Sequence, residues 1–153
     1  INKSLERLNT RRGLSNNCKD HGLFMTTTSN KDGERYLHIL NLDGFDKKFN
    51  INLDDEVLFD GKEIECFSKD GLMLPLNVHF NGVKIKWSTA EVYKVDEDKI
   101  IFRLTQSRDE ILIETEKEIV ETDFYNVEEI DGLKKIKSLK HGKVDEFLEV
   151  FFK

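Results

Sequence analysis

The alternation of apolar and polar positions is clearest over residues 72–92, LMLPLNVHFNGVKIKWSTAEV. Asn81-Gly82 is the pair that a two-residue type I′ turn favours, because both central positions take a positive φ. A hairpin closed by this turn has one apolar and one polar face. Its facing pairs are Phe80–Val83, Val78–Ile85 and Leu76–Trp87 on the apolar face, and His79–Lys84 and Asn77–Lys86 on the polar face. The pattern predicts a half-buried antiparallel hairpin with Trp87 in the core.

Turn signals recur along most of the chain after Leu23. Asp or Asn tolerates a left-handed backbone and Gly accepts one freely, so these dipeptides mark turns. Six of the nine glycines lie in such pairs: Asp32-Gly33, Asp43-Gly44, Asp60-Gly61, Asp70-Gly71, Asn81-Gly82 and Asp131-Gly132. The runs between them are short and rich in β-branched and aromatic residues, which is typical of strands. We therefore predict an all-β protein, an antiparallel β-sandwich or a barrel-like sheet domain.

The two ends of the chain are less regular. Residues 1–20 are polar and are interpreted as an N-terminal connector, where Leu5 and Leu8 after Ser4 allow one short helix. Residues 21–153 are predicted to form a single antiparallel β domain. The segment 144–152 also fits a helical face, but its all-β context favours a strand. Because the first residue is Ile1, we expect a processed chain or an excised piece of a longer protein.

Composition narrows the class of protein. The chain has 153 residues, a net charge of −6, 38% hydrophobic and 35% charged residues, as expected for one soluble domain. The negative charge disfavours nucleic acid and anionic membranes as partners. No apolar run approaches the roughly 20 residues that span a bilayer. Cys18 and Cys66 are interpreted as two thiols in a reducing compartment rather than one disulfide, so we favour a cytoplasmic over a secreted location.

The sequence carries no signature of a nucleophile elbow, a phosphate-binding glycine loop or a zinc site. We therefore predict no catalytic residue, no cofactor and no metal ligand, although a spatially matched pair of carboxylates for glycoside hydrolysis stays open. The histidines are scattered, and four aspartates near turns are interpreted as backbone caps rather than a calcium site. These residues are His21, His38, His79 and His141, and Asp43, Asp46, Asp54 and Asp55.

Other conspicuous side chains also have a structural interpretation. Trp87 is assigned to the core rather than to a sugar-stacking surface, and Glu91 is predicted to face solvent or an interface. Three tyrosines are taken as ordinary half-buried strand residues. Five lysines are taken to decorate an edge strand and its turn, where they discourage aggregation. These are Tyr36, Tyr93 and Tyr125, and Lys134, Lys135, Lys137, Lys140 and Lys143.

The segment Val83–Leu104, VKIKWSTAEVYKVDEDKIIFRL, resembles a stretch in β-galactosidases of glycoside hydrolase family 35. The match is Ser88-Thr89-Ala90-Glu91-Val92, supported by DGLMLPLNV at Asp70–Val78 and LNLDGF at Leu40–Phe45. In that family, the run lies in an antiparallel β domain that follows the catalytic (β/α)₈ barrel. The resemblance therefore also implies an all-β fold.

The family's acid/base and nucleophile glutamates lie on the barrel, which a chain of this length and pattern does not contain. The resemblance therefore implies a non-catalytic accessory domain that packs against the barrel and sibling β domains of a parent glycosidase. Its expected partners are the rest of that chain and a galactoside ligand. Two alternatives stay open: an independent carbohydrate-binding module, and a protein-interaction β-sandwich that self-associates.

Overall fold

The structure is a computed structural model that describes residues 13–18, 22–142 and 144–153. Within these residues it contains fifteen strands and a single short 3₁₀ turn, at Phe59–Gly61. The strands are β1 Leu14–Asn16, β2 Leu23–Ser29, β3 Arg35–Asn41, β4 Lys47–Phe49, β5 Ile51–Leu53, β6 Glu56–Val57, β7 Ile64–Cys66, β8 Gly71–Phe80, β9 Val83–Ser88, β10 Glu91–Val95, β11 Lys99–Arg103, β12 Glu110–Thr115, β13 Tyr125–Ile130, β14 Leu133–Ser138 and β15 Phe147–Phe151. The predicted connector and short N-terminal helix fall largely outside the described residues.

The strands form open sheets, which confirms the predicted all-β class and selects the sandwich over the barrel. The largest sheet has the order β13-β14-β12-β9-β8-β3-β2, and a second has the order β10-β11-β15. Two small sheets, β1-β5-β6 and β4-β7, complete the described topology. The described residues divide into two compact units: those within Ile1–Thr26 and Ile39–Gly71, called unit 1, and those within Thr27–His38 and Leu72–Lys153, called unit 2.

Unit 2 is organised around one hydrophobic core between two sheets. Strands of the large sheet contribute alternate residues, and β11 and β15 of the three-stranded sheet contribute theirs from the other side. The buried members are Val83, Ile85, Ala90, Ile100, Phe102, Leu104, Ile111, Ile113, Ile119, Tyr125, Ile136, Leu148, Val150 and Phe152. The strand predicted over 144–152 is thus confirmed in β15, whose Leu148 and Val150 point into this core.

Unit 1 contains the two small sheets. Strand β5 pairs with both β1 and β6, and β4 pairs with β7, all antiparallel. Asp54 and Asp55 both take a positive φ in the turn between β5 and β6, so these two aspartates act as turn residues. The buried apolar residues of this unit include Phe49, Ile51, Phe59, Ile64 and Cys66.

The central hairpin is confirmed in its predicted register. Strands β8 and β9 align Leu76 with Trp87, Val78 with Ile85, His79 with Lys84 and Phe80 with Val83, and Trp87 is buried. Asn81 and Gly82 have φ values of 48° and 81°, as the type I′ turn requires.

The predicted Asn77–Lys86 pair is missing from the ladder of β8 and β9, although the pairs on both sides keep the predicted register. Asn77 has a φ of 57°, and β12 pairs with Trp87 and Ile85 while skipping Lys86. Bulges of this kind leave one residue out of the ladder, and the period-two pattern of the sequence does not show them.

The lysine-rich segment is not an edge strand, which corrects the prediction. Strand β14 lies between β13 and β12 in the large sheet. Its lysines pair with glutamates across the neighbouring strands, Lys135 with Glu110 at 3.0 Å and Lys137 with Glu128 at 3.3 Å. Cross-strand pairs of opposite charge stabilise a sheet face, so these lysines serve an interior strand. Lys143 lies outside the described residues.

Gly142 is required by a close approach of two backbone segments. A Cβ atom at this position would lie 2.3 Å from the carbonyl oxygen of Gln106, which accepts the Gly142 N–H at 2.9 Å. We expect Gly142→Ala to lower the free energy of unfolding by about 1–3 kcal/mol, measured by urea denaturation. Gly44→Ala is the control, since its Cβ would meet open space, and equal losses in both variants would contradict the packing argument.

Candidate functional site

The Ser-Thr-Ala-Glu run forms a corner between two sheets. Strand β9 ends at Ser88 and β10 begins at Glu91, so Thr89 and Ala90 carry the chain from the seven-stranded to the three-stranded sheet. Ser88, Thr89 and Ala90 are all buried. The Ser88 hydroxyl donates to the Ala90 carbonyl at 2.7 Å and accepts the Ala90 N–H at 3.0 Å. The motif that carries the family resemblance therefore lies at the corner where the chain crosses from one sheet to the other.

A buried carboxylate holds this corner in place. Asp109, which is only 1% exposed, accepts the Thr89 hydroxyl at 2.6 Å and the N–H groups of Thr105 and Gln106 at 3.0 and 3.1 Å. The Thr105 hydroxyl donates to the Thr89 carbonyl at 2.5 Å. Burial raises the pKa of Asp109, and the hydrogen bonds it accepts oppose that rise. Asp109 thus ties the loop after β11 to the corner.

Glu91 does not face solvent, which corrects one of its two predicted roles. Its side chain is only 16% exposed and forms an ion pair with Arg103 on the adjacent strand. The Arg103 Nε–H donates to Glu91 Oε1 at 2.6 Å, and the Met73 N–H donates to the other carboxylate oxygen at 2.8 Å. Both oxygens are therefore occupied within the chain, as expected of a structural carboxylate rather than a catalytic one.

Each histidine that the structure describes makes its own local contact. His38 Nε2 lies 2.9 Å from the Thr28 hydroxyl, and His79 Nδ1 lies 3.8 Å from a carboxylate oxygen of Glu34. The His141 N–H donates to Asp145, and His21 is outside the described residues. Among the parts of the chain that the structure describes, no three His, Cys, Asp or Glu side chains converge as metal ligands would.

Asp43 and Asp46 do not cap their own backbone, which corrects the capping interpretation for these two residues. Asp43 forms an ion pair with Lys47 at 2.5 Å, and Asp46 accepts the Ser68 N–H at 2.8 Å. Lys47 is almost fully buried, with its ammonium 5.1 Å from the centroid of the Phe45 ring. The burial of Lys47 could not be predicted from the sequence, because a lysine that closely follows a turn, as Lys47 follows Asp43-Gly44, is usually exposed.

A polar surface hollow of about 510 Å³ lies at the turn end of the β8–β9 hairpin. Its walls include His79, Lys84, Glu114 and Thr115, and the Lys84 ammonium lies 4.0 Å from the Glu114 carboxylate. The Thr115 hydroxyl donates to the Gly82 carbonyl at 2.9 Å. These groups hold the hairpin turn against β12 and are engaged with each other.

An exposed aromatic side chain lies on the outer face of the three-stranded sheet. Tyr93 is 61% exposed, and its ring centroid lies 4.5 Å from that of Phe147 at an angle of 54°. The sequence interpretation missed this feature by treating the tyrosines alike. Tyr125 is buried instead, with its hydroxyl accepting the Phe151 N–H at 3.3 Å. The sequence signal for this feature is the run Val92-Tyr93-Lys94-Val95. Its two valines are three positions apart, and strict alternation cannot place both on the same face of a strand.

The two cysteines are separate thiols, as predicted. Cys66 is buried, and that burial raises its pKa to about 11. Because the thiolate is the reactive form, we expect a thiol reagent at pH 8 to modify Cys66 only after unfolding. Measured in the variant Cys18→Ser, rapid labelling of the native protein would contradict this, whereas labelling that appears with urea is the expected result.

A comparison with models of known protein families found no match, and a comparison with curated protein sequences found none either. Within the described residues, the structure contains no helix long and apolar enough to cross a bilayer.

Proposed function

We propose that this chain is a non-catalytic accessory β domain of a β-galactosidase-like glycoside hydrolase, and that it docks on the catalytic part of the same protein. The observation that carries the proposal is the corner motif. The run Ser88–Val92 resembles that family, and its polar groups are engaged by Asp109, Arg103 and their own backbone. A motif engaged in this way maintains a domain's shape, which is the role that the resemblance implies.

The proposed docking surface lies in unit 1. Phe24, Leu40 and Leu42 are exposed by 53%, 44% and 48%, and we call these three residues the apolar stripe. The Leu42 N–H donates to the Gly22 carbonyl at 2.9 Å, so Phe24 and Leu40, two residues further along the antiparallel strands β2 and β3, face each other. Adjacent large apolar side chains on a water-facing surface mark a site that another protein surface covers.

The proposal is tested by measuring how tightly this chain binds the catalytic part encoded in the same reading frame, expressed as a separate chain. The double variant Phe24→Ser/Leu40→Ser should bind at least about tenfold more weakly in calorimetry, because each lost apolar contact contributes on the order of 1 kcal/mol or more. Leu139→Ser is the control, since Leu139 is a similarly exposed apolar residue of unit 2. A reading frame without a catalytic barrel, or unchanged binding by the double variant, would refute the proposal.

A further inference from the structure

We propose that the outer face of the β10–β11–β15 sheet binds a neutral sugar ring, with Tyr93 as the stacking surface. This site goes beyond the accessory role, because it gives the domain a ligand of its own. It lies entirely in unit 2, whereas the apolar stripe lies in unit 1. The site is called the sugar platform and consists of Tyr93, Phe147, Glu91, Arg103, Lys99 and Glu149.

Tyr93 is the extra residue of a β-bulge in strand β10. Val92 and Val95 both pack against the core, and the register between β10 and β11 shifts between Val92 and Lys94. Tyr93 and Lys94 therefore both lie on the outer face, whereas strict alternation would place neighbouring residues on opposite faces. β-Bulges are over-represented at sheet edges and next to active sites, and β10 is an edge strand of its sheet.

The neighbouring ring fixes the orientation of Tyr93. Phe147 is aligned with Arg103 in the adjacent strand, and its ring meets that of Tyr93 at a tilted angle of 54°. This arrangement is favourable for two aromatic rings and restricts the rotation of an otherwise exposed side chain. A ligand that stacks on Tyr93 therefore meets a ring that is already ordered, which reduces the entropy lost on binding.

The charges beside the rings are paired. Glu91 and Arg103 form an ion pair, and the Lys99 ammonium donates to Glu149 at 3.1 Å. Each cation thus has a carboxylate beside it, so the face carries no excess of either charge. Nucleic acid and acidic peptides bind surfaces with more positive than negative charge. A sugar suits this charge-balanced face better, because its C–H face stacks on an aromatic ring while its hydroxyls both donate and accept hydrogen bonds.

The alternative occupant, a protein surface, is less favoured by the same residues. Along β11 the outward positions are Lys99, Ile101 and Arg103, so charged side chains flank the single aliphatic one. Protein interfaces are depleted of Lys and Glu, and this face carries Lys99, Glu91 and Glu149. The sugar platform therefore fits a small polar ligand with one apolar face.

The test is a titration of the isotopically labelled chain with two neutral disaccharides, lactose and cellobiose, followed by amide chemical shifts up to about 20 mM, a range that detects millimolar Kd values. We expect shifts that cluster on Tyr93, Arg103 and Phe147, and we expect Tyr93→Ala to abolish them. Phe124→Ala is the control: Phe124 is also an exposed aromatic residue with a lysine over its ring, and its removal should leave the shifts unchanged.

Three results would overturn the inference: no shift with either disaccharide, shifts that persist in Tyr93→Ala, or shifts centred elsewhere. If the catalytic part of the reading frame moves these amides and the disaccharides do not, the face is a protein interface and the sugar site is refuted. Neither outcome decides the accessory role, because that role is tested separately through the apolar stripe.

Discussion

Replacing Asp109 with alanine is expected to lower the free energy of unfolding by about 3–5 kcal/mol. The substitution leaves the Thr89 hydroxyl and the N–H groups of Thr105 and Gln106 without their acceptor in a buried site. Each buried donor left without a partner costs about 1–3 kcal/mol. Since the free energy of unfolding of a domain is only about 5–15 kcal/mol, the contribution of this single carboxylate is a large fraction of it.

The measurement is urea denaturation followed by the fluorescence of Trp87, which is the only tryptophan and lies in unit 2. Asp123→Ala is the matched control, because Asp123 is exposed and its loss should change stability by less than about 0.5 kcal/mol. A loss below about 1 kcal/mol in Asp109→Ala would show that water satisfies the freed donors and that the carboxylate does not hold the corner.

The same variant gives a test of the raised pKa of Asp109. A carboxyl group whose pKa is higher in the folded than in the unfolded chain binds its proton more tightly when folded. Protonation therefore favours folding, and the advantage of the wild type over Asp109→Ala should grow as the pH falls from neutral toward the ordinary range of aspartate. An advantage that shrinks over this interval would mean that the hydrogen bonds outweigh burial.

The second large effect is expected at the ion pair between the partly exposed Asp43 and the buried Lys47 of unit 1. Asp43→Ala removes the carboxylate that lies 2.5 Å from the almost fully buried Lys47 ammonium. Removing one partner of a fully buried pair costs about 3–5 kcal/mol, and because the Asp43 side chain is 36% exposed we expect a loss at the lower end of that range. The double variant Asp43→Ala/Lys47→Met should recover most of this loss, since methionine fills similar space without a charge.

Stability of unit 1 can be followed through Cys66, whose labelling reports local opening in a Cys18→Ser background. Asp43→Ala should expose Cys66 at a lower urea concentration than the parent variant, and the added Lys47→Met should shift exposure back. A double variant as unstable as Asp43→Ala would contradict the account, because the lost carboxylate would then matter for a reason other than the stranded ammonium.

The hairpin was predictable because two independent signals agree on its register. The Asn81-Gly82 turn sets which residues face each other, and the pleat sets which face is buried, so a slip of one residue would expose Trp87. The strand in β15 followed in the same way from its context and apolar content. Local patterns therefore determine element type wherever turn chemistry and alternation point to one answer.

The contacts that engage the corner motif could not be predicted from such patterns. Asp109 and Thr89 are 20 residues apart, and their meeting depends on how the loop after β11 folds back. The extra residue in β10 and the interior position of β14 both depend on how neighbouring strands pair. Neither strand order nor a single inserted residue changes the period-two pattern enough to be recognised in advance.

The measurement that tests the accessory-domain proposal most directly is hydrolysis of a nitrophenyl galactoside by this chain alone and by the protein encoded in its whole reading frame. We expect no turnover by the chain alone, because Glu91 and Asp109 are engaged in structural contacts, and we expect turnover by the whole protein. Turnover by the isolated chain that follows the protein through successive purification steps would contradict the account.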